Sequence, residues 1–371
     1  MRPAFSSTTQ AAAFALLLLV LLILPAVMGK NLLPPREQAY AVQGWGHGPY
    51  PWIRNQIFEE TNDIDIAFVG SSHIFNAVNT PQVQAELSRK LGRPAVVRTI
   101  AWGGAGYEGL YLITRDLLAH RRVKLLVFYD ENPEPGARPG NPAATTWFRF
   151  GDNADALRGL PLPDQELYYF AAIVGMPRNL LCLVRPNLPA PLVTDQPNYW
   201  TLIAHAPNPA TRLGCLISQL GFAPNLLAVA APFEFFAPAT TARPADVINY
   251  SPATKTNFEF SSAPIPAWQI HFARRFAALL RARDVRPVML YLPVLAEARA
   301  PVILERAFWP DVLTGAGLLG IPPAKLFGGL TDAELRKIYA DPVHFNQNGQ
   351  EYFTRLITPK LIELYETQSG H

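Results

Sequence analysis

Two separated groups of residues in this 371-residue chain could do covalent chemistry together. Ile64-Asp65-Ile66-Ala67-Phe68-Val69 reads as a short apolar strand that stops at Gly70 and delivers Ser71 and Ser72 into a turn before His73. Far downstream, Asp341-Pro342-Val343-His344 stands just before a helical pattern. A serine hydroxyl is a weak nucleophile and needs a base within hydrogen-bond reach. His344 can be that base, and Asp341, three residues away in a tight turn, can hold its ring in one tautomer. Acyl transfer also needs fixed N–H donors for the oxyanion. The candidates are the backbone N–H of Ser72, a backbone N–H at Gly104, and the side-chain amide of Asn132. Glycine suits such a place because the backbone must come close to the substrate.

The elements around these residues alternate between strand and helix. Thr80-Pro81 is a helix start, with a capping hydroxyl and a proline in the first turn. Val83, Leu87 and Leu91 share one face, and Gly92 ends the helix. Ala95 to Ile100 is a second strand, running into Trp102-Gly103-Gly104-Ala105-Gly106; a helix follows from about Tyr107 to His120. Val123 to Tyr129 is a third strand, ending at Asp130-Glu131-Asn132-Pro133. This rhythm predicts right-handed crossovers and a parallel sheet with helices on both faces, a three-layer α/β/α sandwich. Ligands of such sheets bind beyond the carboxyl ends of the strands, where the serines, Gly104 and Asn132 all fall.

The rhythm breaks over residues 133–262, which hold 18 of the 36 prolines and are read as an insertion over one end of the sheet. Leu167 to Val174 is a helical patch within it, and Ala231-Pro232-Phe233-Glu234-Phe235-Phe236 reads as buried packing of the insertion, with a lid or a partner surface as alternatives. The pattern then resumes. Trp268, Phe272, Phe276 and Leu279/Leu280 mark a helix face, Pro287 to Pro293 a fourth strand, and Pro301 to Leu313 a helix. Thr331-Asp332-Ala333-Glu334 caps a short helix. A final helix begins with a capping box of Asn348 and Glu351 and turns Phe353, Leu356, Ile357 and Leu361 inward.

At the N-terminus, residues 11–28 are uncharged and almost wholly apolar, long enough to span a bilayer as a helix. Ala26-Val27-Met28-Gly29-Lys30 fits a signal-peptidase site poorly, which favours an uncleaved anchor over a secretory signal. The expected organisation is an anchor at 1–29, a turn-rich connector at 30–62, and an α/β domain at 63–371. A formal charge of +3 with no long basic run implies no nucleic-acid partner. Cys182 and Cys215 lie in apolar surroundings, as two buried thiols or one disulfide, and their spacing suggests no metal site.

Together these blocks resemble the SGNH/GDSL hydrolase superfamily of esterases and acyltransferases. Gly70-Ser71-Ser72-His73 stands where that family has Gly-Asp-Ser-Leu, which makes Ser72 the nucleophile. Gly103-Gly104-Ala105 matches the second block, with Gly104 the preferred glycine; Asp130-Glu131-Asn132-Pro133 keeps only the asparagine of Gly-x-Asn-Asp. Asp341-Pro342-Val343-His344 matches the last block intact. The resemblance covers roughly residues 63–132 and 265–366, and it departs at Ser71 and on both sides of Asn132.

An anchor followed by Gly-Ser-Ser is similar to the membrane-tethered branch that works with membrane-bound O-acyltransferases in exopolysaccharide O-acetylation of the alginate type, or in D-alanylation. That resemblance implies a single-pass protein of a bacterial inner membrane with its catalytic domain in the periplasm or extracytoplasmic space. Its substrate would be an acylated polysaccharide or small acyl ester, with acetyl the expected group. It implies a Ser72–His344–Asp341 triad, an oxyanion site of Ser72, Gly104 and Asn132, and no metal or organic cofactor. The rival expectation, from the eroded first and third blocks, is a catalytically inactive subunit that binds glycan or scaffolds an acyltransferase complex. A phosphoesterase is the weaker third reading, for want of metal ligands or arginines near the blocks.

Overall fold

The computed structural model describes residues 5–27, 35–43, 50–103, 106–131, 146–150, 153–170, 241–313 and 317–369. Gly104, Asn132, Cys182, Cys215 and the segment Ala231 to Phe236 lie outside them.

The chain divides into two compact units, Met1–Gln43 with Gly136–Pro191 and Gly44–Pro135 with Leu192–His371. In the first, helix α1 (Thr8–Val27) carries no charged residue and exposes Phe14 and Leu16 to Leu19. Among the described residues, no helix is long and apolar enough to cross a membrane. The side chains of residues 21, 22 and 24–27 lie outside that description. A short helix, Glu37–Gln43, buries Tyr40 edge-on against Trp147, with ring centroids 5.1 Å apart. The helical patch expected from Leu167 begins earlier, at residue 162, and is described through residue 170.

The second unit is built on a six-stranded sheet. Its strands are β1 (Ile64–Ser71), β2 (Val97–Trp102), β3 (Val123–Phe128), β4 (Ile248–Asn249), β6 (Arg286–Leu290) and β8 (Gly317–Gly320), in the order β2-β1-β3-β6-β8-β4. All pairs are parallel except the two-residue edge strand β4 on β8. A separate parallel pair joins β5 (Phe258–Ser261) to β7 (Ile303–Arg306). Every residue of β1 is buried, as expected of a central parallel strand covered on both faces.

Side chains alternate across the sheet. On one side, Ile66, Phe68, Leu125, Val127, Val288 and Leu319 share a core with Val83 and Leu87 of α3 (Thr80–Leu91) and with Phe353, Ile357 and Leu361 of α6 (Gln347–Ser369). On the other, α4 (Tyr107–His120) packs against α5 (Ala267–Ala282), and Phe128 meets Phe276 edge-on at 5.0 Å. At the amino end of β1, buried Asp65 accepts hydrogen bonds from Arg93 at 2.7 Å, Lys124 at 3.0 Å, the Tyr365 hydroxyl at 2.6 Å and the Val96 N–H at 2.8 Å.

Several local expectations are corrected. Residues 136–191 group with the first unit, and residues 44–62 and 241–262 with the α/β unit. A helix at Tyr50–Arg54 running into a π-helical turn at Asn55–Glu59 buries Tyr50, Ile53 and Ile57. Gln56 of that turn accepts the Arg98 Nε–H at 2.8 Å. The helix expected over Pro301 to Leu313 is instead strand β7 followed by a helix at Phe308–Val312. Asn79, not Thr80, caps α3 by accepting the Gln82 N–H at 3.2 Å; the Thr80 hydroxyl instead meets that of Thr99 at 2.5 Å. Asn346, not Asn348, opens α6, accepting the N–H groups of Asn348 at 2.9 Å and Gly349 at 3.1 Å. Thr331 does cap Asp332–Leu335.

Candidate active site

Strand order places the site. The chain leaves β1 for β2 on one side and then crosses to β3 on the other, so β1 lies at a reversal of strand order, where a crevice opens beyond the carboxyl ends. With Val69 opposite Phe128, the residues that follow β1 and β3 leave the sheet side by side. Those after β1 form a six-residue helix, α2 (Ser72–Ala77), with Ser71 as its extended cap residue. Ser72 is therefore the first helical residue, a position whose backbone N–H has no intrahelical acceptor.

The second component arrives from the loop before α6. Asp341 builds that loop: Oδ1 accepts the backbone N–H groups of Val343 and His344, each at 2.8 Å. Its other oxygen, Oδ2, lies 2.7 Å from His344 Nδ1. An antiparallel bridge between Tyr339 and Phe345 and the Tyr339 hydroxyl on the Pro293 carbonyl at 2.7 Å hold the loop down. His344 Nε2 then lies 2.8 Å from Ser72 Oγ. With the Nδ1 proton given to Asp341, Nε2 is left to accept the Ser72 hydroxyl proton. Burial raises the Asp341 pKa, but the hydrogen bonds from the His344 ring and the Val343 N–H outweigh it and hold the carboxyl below its usual range.

Of the expected site residues, Ser72, His344 and Asp341 come together, and the two serines separate. Ser71 bonds elsewhere: its hydroxyl lies 3.4 Å from the Tyr129 hydroxyl, and its N–H is 2.7 Å from Glu131 Oε1. Gly104 and Asn132, the other expected oxyanion donors, lie outside the described residues. Among the described residues there is no cluster of three or more His, Cys, Asp or Glu side chains able to hold a metal ion.

Three further residues surround the serine turn that sequence reasoning did not single out. Glu131 is fully buried, and burial drives its carboxyl well above the usual range, which favours the protonated form. It sits under Gly70, where an added Cβ would lie 2.8 Å from Oε1 and 3.0 Å from Ile74 Cγ2; only glycine fits. His73 stacks on His344, with ring centroids 4.8 Å apart and planes at 28°, and its Nδ1 lies 2.7 Å from the Tyr129 hydroxyl. Burial, then the neighbouring His344, lowers the His73 pKa to about 4, so it is neutral near pH 7. The available signal was position: His73 follows Ser72 directly, and Tyr129 and Glu131 end the neighbouring strand.

His73 and Tyr129 also form one wall of a cavity of about 310 Å³, with Asp130, Tyr291, Glu297 and Arg306 among the other lining residues. Arg306 Nε meets Asp130 Oδ2 at 3.1 Å, and the Tyr291 hydroxyl donates to Glu297 at 2.8 Å. The volume is about ten waters' worth, at the lower end of small-molecule sites.

No family model matches this chain, and neither a curated protein nor a solved structure shows significant similarity to it.

Proposed function

We propose that this protein is a membrane-anchored serine esterase or O-acyltransferase of SGNH type, acting on acyl esters, with acetyl foremost, of an extracytoplasmic polysaccharide. The observation that carries the reading is the hydrogen-bond chain Ser72 Oγ, His344 Nε2, His344 Nδ1, Asp341 Oδ2, with links of 2.8 and 2.7 Å. It stands at the carboxyl end of a central parallel strand, where substrates of such sheets bind.

In this mechanism Ser72 Oγ attacks the ester carbonyl as His344 Nε2 takes its proton. Asp341 keeps the ring in the productive tautomer and balances the imidazolium that forms. The Ser72 N–H, with Gly104 and Asn132 as the expected further donors, stabilises the oxyanion. Collapse expels the alkoxide, which takes the proton from His344, and leaves an acyl-Ser72. Water or a sugar hydroxyl then gives its proton to His344 and attacks the acyl carbon; collapse breaks the acyl–Oγ bond, and Ser72 Oγ takes the proton back from His344 Nε2, which completes hydrolysis or transfer. The assembled chain of bonds supports turnover over a purely scaffolding role.

The anchor is part of the same proposal. Residues 11–28 are uncharged, and α1 spans 20 residues, about 30 Å at 1.5 Å per residue. Its exposed Phe14 and Leu16 to Leu19 suit lipid better than water. The three-layer SGNH arrangement and a membrane-bound O-acyltransferase partner complete the reading.

The test is mass spectrometry of the full chain in detergent with an activated acetyl ester. One acetyl on Ser72, absent from Ser72→Ala, supports the reading; turnover that persists in Ser72→Ala ends it.

A further inference from the structure

The triad proposed above leaves a second histidine unexplained, and His73 sits against its base. Its ring covers one face of the His344 ring, at 4.8 Å and 28°. Such a stack restrains rotation of His344 out of the plane that reaches Ser72. His73 is itself held from behind. Tyr129 OH lies 2.7 Å from its Nδ1, and the Ser71 hydroxyl donates to that same Tyr129 oxygen at 3.4 Å. With its oxygen accepting from Ser71, the phenol has its own proton to give to His73 Nδ1. The remaining ring proton of His73 then sits on Nε2.

We propose that His73 is a positioning residue for His344: locked by Tyr129, it presents a fixed imidazole face that holds the His344 ring in line with Ser72 Oγ. The proposal rests on the serine-esterase reading for its catalytic meaning, but the positioning itself can be read without turnover. The geometry also suits the charge that develops. When His344 takes the serine proton, a neutral ring at stacking distance adds no like charge. With its pKa lowered to about 4, His73 is neutral near pH 7. The Ser71–Tyr129–His73 series gives Ser71 a task as well, since its side chain supports the stack from the far side.

The experiment pairs His73→Ala with His73→Phe, which keeps a flat ring but loses Nδ1, and adds Tyr129→Phe. On an activated acetyl ester, His73→Ala is expected to lower kcat about tenfold with KM within about twofold, the signature of a loss confined to the transition state. His73→Phe should recover most of that loss. Tyr129→Phe should fall between, with little further effect in combination with His73→Ala, because both act through the same ring. In parallel, the low-field Nδ1–H proton resonance of His344 should broaden or vanish in folded His73→Ala and return in His73→Phe.

A His344 resonance and kcat unchanged in His73→Ala overturn the proposal, whatever becomes of the esterase reading. Equal loss in the Ala and Phe variants, with both folded by circular dichroism, overturns it too, because the ring face is then not what matters. If the wild type turns over no ester but the His344 resonance depends on the His73 ring as described, the positioning stands and the esterase reading alone fails.

Discussion

Glu131 Oε1 accepts the backbone N–H of Ser71 at 2.7 Å from directly beneath Gly70. The turn that presents Ser72 is thus bonded to a carboxyl on the neighbouring strand's exit rather than to another backbone group. Glu131→Gln keeps an acceptor of similar shape without a proton to hold. Glu131→Ala strands a buried N–H and opens a void, costing about 1–3 kcal/mol from the lost acceptor alone. Urea unfolding of the two variants should separate them, with Ala clearly the weaker.

The same residue gives a pH dependence whose sign is fixed. Burial raises the folded-state pKa of Glu131 above its unfolded value. Between the two values the folded protein binds the extra proton, so this contribution is complete below the unfolded pKa and declines as pH rises toward the folded one. Glu131→Gln removes that decline. Denaturation midpoints measured from pH 5 upward should therefore move in favour of Glu131→Gln, relative to wild type, as pH increases.

Asp65 predicts the opposite slope. Burial disfavours its charge, but hydrogen bonds from Arg93, Tyr365, Val96 and Lys124 more than offset this and hold its pKa far below the ordinary carboxylate range. Its contribution is present above the unfolded pKa, near 4, and is lost as pH falls. Asp65→Asn should cost about 2–4 kcal/mol at pH 7, discounted from the buried-pair range because Arg93 and Lys124 are half exposed. Thermal melts between pH 3 and pH 7 would show the gap to wild type narrowing on acidification.

Asp341 both folds the loop and, in the proposed triad, orients His344, so its replacements should divide those tasks. Asp341→Asn retains an oxygen for the Val343 and His344 N–H groups but offers no carboxylate to the ring. Loss of kcat on the order of 10³–10⁴ is expected, with the fold preserved, as for an aspartate that sets a histidine tautomer. Asp341→Ala should add loop disorder, visible as faster amide exchange at Val343 and His344.

Gly70→Ala tests the turn itself. A methyl 2.8 Å from Glu131 Oε1 and 3.0 Å from Ile74 must push the strand and α2 apart, at about 1–3 kcal/mol for an overpacked core. Reactivity of Ser72 toward a fluorophosphonate should fall by more than the stability loss explains. Wild-type labelling rates in a stably folded Gly70→Ala would contradict this account of the turn.

The parts of this architecture legible in the sequence are those set by nearby residues. Ile66 to Val69 of β1 is an apolar run between Asp65 and Gly70-Ser71, and Asp341 and His344 stand three apart in a proline-bearing turn, so each could be read in place. What escaped depended on distant partners. Ile303-Leu304-Glu305-Arg306 is too short to show a period, and its pairing with Phe258 to Ser261 makes it a strand. Asn346 and Asn348 are both good helix starters, and the Tyr339–Phe345 bridge selects Asn346. Glu131 could not be singled out because burial, which gives it its role, exists only once β1 and β3 lie side by side.

Ser72 and His344 are separated by 272 positions, yet they close to a single hydrogen bond. On a ribosome the serine emerges early, and its base is not made until most of the chain has followed. The central strands can pair in the meantime, but the Ser72 hydroxyl lacks its His344 partner until the loop before α6 docks. Long-range closure of this kind is slow relative to local folding. On the proposed esterase reading, a half-made chain could not spend activated acyl groups, and competence would come only when that loop docks rather than with the appearance of the serine.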